Sequence, residues 1–167
     1  MKLANVLPIF KGNDNMLFKN YRPISILPSF SKVIEKLVHK RLSQYLKVNS
    51  ILTESQFGFQ PNKSTEQAIL ELQNRIIKYL SSGKWCLGMF LDLSKAFDTL
   101  NHKILLRKLY SYGVRGIALD WFGDYLEDRY QYTIYKNKIS QNLLITCGVP
   151  QGSILGPLLF LIYISMT

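Results

Sequence analysis

A continuous apolar run, Trp85-Cys86-Leu87-Gly88-Met89-Phe90-Leu91, stops abruptly at Asp92, and this junction constrains the chain more than any other stretch. The run has the length of a central strand covered on both faces, so the other residues must supply neighbours beside it and layers above and below. A carboxylate at the end of such a strand is costly unless something offsets its charge. A divalent cation is one candidate, since Mg2+ takes hard oxygen ligands. The other reading makes Asp92, or Ser94, the cap of the turn that follows.

Both helices and strands flank the run. Asn5 to Lys11 is short and apolar, ends at Gly12-Asn13-Asp14-Asn15, and carries Pro8, which points to an edge strand. A second extended piece lies around Tyr21-Arg22-Pro23-Ile24-Ser25. After Pro28, apolar residues from Phe30, Val33, Ile34, Leu37 and Val38 to Leu42, Tyr45 and Leu46 recur at helical steps, with a basic face opposite. Asn49-Ser50 ends that helix. Ser64 with Gln67 makes a capping-box pattern ahead of a helix that buries Ile69, Leu72, Ile76 and Leu80 and closes at Gly83. Another helix runs from Asn101 through Leu105 and Leu109 to Gly113, and one more carries Leu119, Trp121, Phe122, Tyr125 and Leu126. Tyr130 to Tyr135 and Ile139 to Thr146 read as paired strands around Lys136-Asn137-Lys138. A turn-rich loop, Gly148 to Ser153, precedes a short apolar helix from Ile154, despite Gly156 and Pro157. Helices and strands mixed around one central strand define an α+β fold, in a single domain at this length.

Lys and Arg number 21 against 11 Asp and Glu, a net charge of +10. An excess of this size favours a polyanionic partner over a merely solvated basic surface, because each neutralised phosphate releases counterions. The only cysteines, Cys86 and Cys147, and the only histidines, His39 and His102, stand at no zinc-binding spacing. The cysteines read as reduced and buried in an intracellular protein, with nothing to choose between nucleus and cytoplasm. Leu158 to Ile164 is far shorter than the ~20 apolar residues a bilayer span requires, so it is a core segment and no membrane is expected.

Several residues have the chemistry of a site, each beside an ordinary alternative. Asp98, before Thr99-Leu100-Asn101, is best placed as a structural cap of the next helix. Lys95 is able to meet a phosphate or to screen Asp98. Phe97 either closes one side of a nucleotide pocket or packs in the core. The Gly148 to Gly156 loop lets backbone approach a ligand, and Gln151 offers an amide to a base or sugar edge; a plain loop is the alternative. Gln56 to Thr65 joins aromatics, Lys63 and a helix N-terminus, which suits a phosphate or a simple capped turn.

Four of these stretches resemble, in the same order, the reverse transcriptases of non-LTR (LINE-type) retrotransposons. Asn20-Tyr21-Arg22-Pro23-Ile24-Ser25 with Lys32 and Glu35-Lys36 is similar to the opening fingers motif, and Gln56-Phe57-Gly58-Phe59 with Ser64-Thr65 to the next fingers block. Phe90-Leu91-Asp92-Leu93-Ser94-Lys95-Ala96-Phe97-Asp98 resembles the first palm motif, and Gly148 to Pro157 the second. The likeness runs from about Asn5 to Ile164 and is strongest to the jockey-like branch. It implies the fingers and a partial palm of a right-hand polymerase, with residues 1–84 mainly fingers and 85–167 mainly palm. It makes Asp92 the catalytic metal ligand, with the Leu93 carbonyl as a second oxygen for Mg2+, or Mn2+. Lys95, Ala96, Phe97, Gln151 and Gly152 become nucleotide-binding, with Phe97 the residue that excludes or admits a 2′-hydroxyl. Arg22 and Lys63 come near nucleic acid or triphosphate. The implied partners are an RNA template, a DNA primer and a deoxynucleoside triphosphate.

The chain also departs from that pattern. Gln60 stands where the family usually has arginine, and Ser165-Met166 where it usually has Asn-Asp. The Ala-Asp-Asp hairpin and the thumb, which follow the second palm motif in the family, are expected to be missing. Two cations about 4 Å apart repel strongly and need several carboxylates, so the chain by itself is expected not to polymerise. The competing reading is a non-catalytic nucleic-acid-binding remnant.

Overall fold

The computed structural model describes residues 2–136 and 138–165. The two extended pieces expected near the start form β1 (Leu3–Phe10) and β2 (Tyr21–Ile26), which run antiparallel with Pro8 opposite Pro23. Neither proline has an N–H to give, so they face each other where the ladder asks for no hydrogen bond. Contrary to expectation, β1 is not an edge strand. Leu3 to Asn5 also pair in parallel with Tyr130 to Tyr132 of β3 (Arg129–Tyr132). Pro8 is accommodated because it lies beyond that second ladder.

The expected hairpin forms in two parts. Next to the sheet, β3 pairs antiparallel with β6 (Leu143–Ile145), giving the order β2-β1-β3-β6. Farther out, β4 (Ile134–Tyr135) pairs with β5 (Lys138–Ile139). Of the expected turn, Asn137 lies outside the described residues.

The helices are α1 (Ser29–Val48), α2 (Thr65–Ser81), α3 (His102–Ser111), α4 (Ile117–Leu126) and α5 (Gly156–Ile164). Leu42 and Leu46 of α1, Leu105 and Leu109 of α3, Phe122 and Leu126 of α4, and Leu158 and Leu159 of α5 share one buried cluster. Pro157 falls in the first turn of α5, where its missing N–H is not needed. Lys108 of α3 donates to the Tyr163 and Ser165 carbonyls at 2.7 and 2.5 Å, placing a cation at the negative end of α5. The mixed α/β class therefore holds. No helix of the described residues is long and apolar enough to cross a membrane.

Four expectations about burial are corrected. The apolar run before Asp92 forms no strand: residues 84–93 lack regular structure, with Trp85 99% and Leu87 95% exposed. A strand covered on both faces needs hydrogen-bonding neighbours and packing on each side. Among the described residues, the sheet is ordered β2-β1-β3-β6 and the run pairs with neither of its edges. The α2 helix has its capping box, Gln67 N–H to Ser64 Oγ at 3.3 Å and Ser64 N–H to Gln67 Oε1 at 2.9 Å, yet buries none of its residues. Ile69, Leu72, Ile76 and Leu80 fit a helix period without finding a surface to cover them. Likewise Phe30, Val33 and Leu37 of α1 stay exposed, while Ser31, Glu35, Leu42 and Leu46 turn inward. Cys86 and Cys147 are free and exposed rather than buried, because both sit on irregular segments.

Brief trypsin digestion is accordingly expected to cut at Lys84 or Lys95 before Lys103, Arg107 or Lys108 of α3, since irregular exposed backbone opens at almost no free-energy cost. Mass spectrometry of the first fragments checks this, and early loss of α3 would mean that the helical core is the looser part.

Candidate functional site

The turn that follows Asp92 and the glycine-rich loop before α5 meet through their backbones. Gly148 N–H donates to the Leu100 carbonyl at 2.7 Å, and Val149 N–H to the Phe97 carbonyl at 2.8 Å. His102 Nε2 lies 2.7 Å from the Gly148 carbonyl, which places the ring proton on Nε2 because a carbonyl only accepts. Side chains complete the seam: Gln151 Nε2 donates to Asp98 Oδ1 at 2.8 Å, and Cys147 Sγ lies 3.3 Å from the Asp98 carbonyl. On its other flank the loop is tied to β2 by Ser25 N–H donating to the Gln151 carbonyl at 2.7 Å.

Two glycines make these approaches possible. Gly148 has φ +82°, and a Cβ there would fall 2.7–2.8 Å from the Asp98 backbone. Gly152 has φ +114°, and a Cβ would fall 2.8 Å from the Ser25 carbonyl oxygen. No L side chain fits either place without moving backbone.

Beside the seam lies a cavity of about 420 Å³, bounded by Val6, Pro23 and Ser25, by Gln131 to Thr133, and by Asp98 with Thr146 to Gln151. Among the described residues that line it there is no lysine or arginine. Its polar groups are the Asp98 carboxylate, the Gln151 amide, hydroxyls and backbone, which suit hydrogen-bonding edges rather than bare phosphate.

Of the other residues singled out from the sequence, Lys95, Ala96, Phe97, Arg22, Lys63 and Gly152 do not line the cavity. Phe97 is half-buried between Phe59 and Phe160, with ring centroids 5.7 and 5.1 Å away, so it joins the Gln56 to Phe59 block to α5. Ala96 is half-buried beside it, and Lys95 is exposed with φ +53°. Arg22 is exposed on β2, opposite Ile9. Lys63 is half-buried, with its ammonium on the Glu54 carbonyl and 4.9 Å from the centre of the Phe57 ring. Gln60, where the resemblance sets an arginine, has its amide nitrogen buried without a hydrogen-bond partner. Asp98 is not the cap of the next helix. Asn101 holds that position, its Oδ1 accepting from Ile104 N–H at 3.1 Å, because it directly precedes the first turn of α3. Asp98 is left to receive Gln151.

Asp92 is exposed and does not line the cavity. Its carboxylate and the Leu93 carbonyl fit Mg2+ in kind, as hard oxygens. They do not fit it in number: no group of three or more His, Cys, Asp or Glu among the described residues is placed to hold a metal ion.

Sequence reasoning missed one buried polar cluster. Glu35 is 1% exposed, and its Oε2 accepts from Ile154 N–H at 2.6 Å and from Leu155 N–H at 3.4 Å. Tyr125 donates its hydroxyl to Glu35 Oε1 at 3.1 Å. Burial, and secondarily the negative Glu35, hold the Tyr125 phenol well above its ordinary pKa, so it remains a donor. Arg129 is also buried and stacks its guanidinium 4.8 Å from the centre of the Tyr125 ring while donating to the Tyr125 carbonyl at 3.1 Å. A signal was present in the sequence: Glu35 stands two helical turns before Leu42, on the face that α1 buries.

Residues 9–166 match the family model for reverse transcriptase (RNA-dependent DNA polymerase), and the chain belongs to that family. Among its relatives is the probable RNA-directed DNA polymerase from transposon BS of Drosophila melanogaster, 35% identical over 97% of this chain and 18% of that protein. The probable RNA-directed DNA polymerase from transposon X-element of the same fly is 36% identical over 86% of the chain and 16% of the relative. The RNA-directed DNA polymerase from its mobile element jockey is 32% identical over 98% and 18%. The chain thus spans between 16% and 18% of the length of these relatives.

Proposed function

We propose that this chain handles the incoming nucleotide and the template–primer duplex in an RNA-directed DNA polymerase encoded by a non-LTR retrotransposon. The observation that carries the proposal is the junction of the Phe97-Asp98 turn with the Gly148 to Gly152 loop, where Gln151 meets Asp98. In the proposed reaction a primer 3′-hydroxyl attacks the α-phosphate of a deoxynucleoside triphosphate, forming a P–O bond and releasing pyrophosphate, with RNA as template.

In this reading residues 1–84 are mainly fingers and 85–167 mainly palm of a right-hand polymerase. That division cuts between β1-β2 and β3-β6, so the two parts share backbone hydrogen bonds. Gln151 and Gly152 bind the sugar and base from the loop side, and Lys95 meets phosphate from the exposed rim. Phe97, with Ala96, forms the wall that tests for a 2′-hydroxyl, braced by the Phe59 and Phe160 rings. Arg22 and Lys63 contribute positive charge toward nucleic acid. A divalent cation, Mg2+ or Mn2+, would supply charge neutralisation for the phosphates. Asp92 and the Leu93 carbonyl would offer it oxygens, too few among the described residues to hold it on their own.

The chain is expected to bind an RNA template annealed to a DNA primer, with affinity that falls steeply between low and physiological salt as neutralised phosphates regain their counterions. It is expected to give no template-dependent extension with Mg2+ or Mn2+, because Asp92 stands in no acidic cluster among the described residues. Fluorescence anisotropy and a primer-extension gel read the two outcomes. Failure to bind the duplex at low salt contradicts the proposal, and extension contradicts the account of Asp92.

A further inference from the structure

We infer that Glu35 is a positioning residue for Gln151, setting the height of the glycine-rich loop from its α5 end. The inference deepens the nucleotide-site reading above and rests on it. The loop has two ends to be held. At its start, Gly148 and Val149 donate to the Leu100 and Phe97 carbonyls, and just beyond them the Gln151 carbonyl receives Ser25 N–H at 2.7 Å while the Gln151 amide reaches Asp98 at 2.8 Å. At its finish the backbone turns into α5 with no side-chain cap from Leu155, the residue at the cap position.

Glu35 fills that role from another helix. Its carboxylate takes the Ile154 and Leu155 amides, while Ser153 Oγ takes the Gly156 amide at 3.0 Å. Buried N–H groups at the positive end of a helix leave one low-energy position for such a carboxylate. Tyr125 fixes the other Glu35 oxygen at 3.1 Å, so the side chain has no slack. With the amides tied to α1 and Gln151 tied to β2 and Asp98, the reach of one side chain decides where Gln151 sits. Reach, more than charge, is the controlling property.

Two variants of the full chain separate these. Glu35→Gln keeps the reach and one carbonyl acceptor for Ile154 N–H. Glu35→Asp keeps the charge and withdraws it by one methylene. Amide hydrogen exchange is read at Ile154, Leu155 and Ser25, with Leu109 in α3 as the reference for global opening. Glu35→Asp is expected to speed exchange at Ile154, Leu155 and Ser25 by about tenfold or more relative to Leu109, and Glu35→Gln by no more than about threefold. Crosslinking of a photoreactive deoxynucleoside triphosphate is expected to fall about tenfold in Glu35→Asp and to persist in Glu35→Gln. Unchanged Ser25 exchange in Glu35→Asp overturns the inference, as does acceleration matched by Leu109. If the unsubstituted chain captures no nucleotide, the nucleotide-site reading fails, and the exchange rates alone then decide whether Glu35 positions the loop.

Discussion

Gly148→Ala is expected to separate the two halves of the candidate site and to destabilise the chain by about 2–4 kcal/mol. The left-handed backbone at φ +82° costs an alanine about 1–2 kcal/mol before any contact is considered. The added Cβ then meets the oxygen, carbonyl carbon and Cα of Asp98 at 2.7–2.8 Å. Those are backbone atoms and cannot rotate away, so the loop must lift. Lifting it breaks Gly148 N–H to Leu100 and Val149 N–H to Phe97, and carries Gln151 off Asp98. Urea titration measures the stability, and nucleotide crosslinking is expected to fall at urea concentrations where the variant is still folded. Gly123→Ala is the control. It sits within α4 at an ordinary φ with nothing within 4 Å of the added Cβ, and alanine there is expected to be neutral or stabilising by up to about 1 kcal/mol.

Leu159→Ala is expected to cost about 2–5 kcal/mol, the range for deleting a fully buried leucine and leaving a cavity behind. Leu159 is completely buried in α5 among Leu105, Leu109, Leu155 and Ile162 of the same cluster, so little of the hole can be refilled. The matched substitution on the uncovered helix, Leu70→Ala in α2, is expected to lie within about 0.5 kcal/mol of the unsubstituted chain, as Leu70 is largely exposed. Chemical denaturation of both measures the contrast. Equal losses would mean that α2 is packed after all.

What the sequence revealed and what it hid divide along a physical line. Features that depend on neighbours in sequence were legible: the Ser64–Gln67 capping box, α3 ending ahead of Gly113, Pro157 in the first turn of α5, and the hairpin around Lys136. Features that depend on what covers a face were not. The run from Trp85 to Leu91 carries the composition of a buried strand, but composition does not say whether a partner strand is there. The apolar faces of α2 and of the first half of α1 misled in the same way.

For the site, the sequence order of the motifs brought Phe97 and Gln151 into consideration, and the backbone seam between their loops explains why both belong to one place. Asp98 was assigned to its nearest helix because capping is a local rule, whereas its side chain is used at long range by Gln151. Glu35 stayed hidden for the opposite reason. A glutamate on a helix with several lysines looks like surface, and only the amides arriving from Ile154 and Leu155 make its burial tolerable.

The most direct test of the nucleotide site is photocrosslinking of a deoxynucleoside triphosphate to the unsubstituted chain in the presence of Mg2+ and a template–primer duplex, with the attachment point mapped by mass spectrometry. The expected result is attachment within the peptides carrying Lys95 to Asp98 and Cys147 to Gly152, competed by unlabelled deoxynucleoside triphosphate. Attachment confined to other surfaces, or none that unlabelled nucleotide displaces, would contradict the assignment of these loops to the incoming nucleotide.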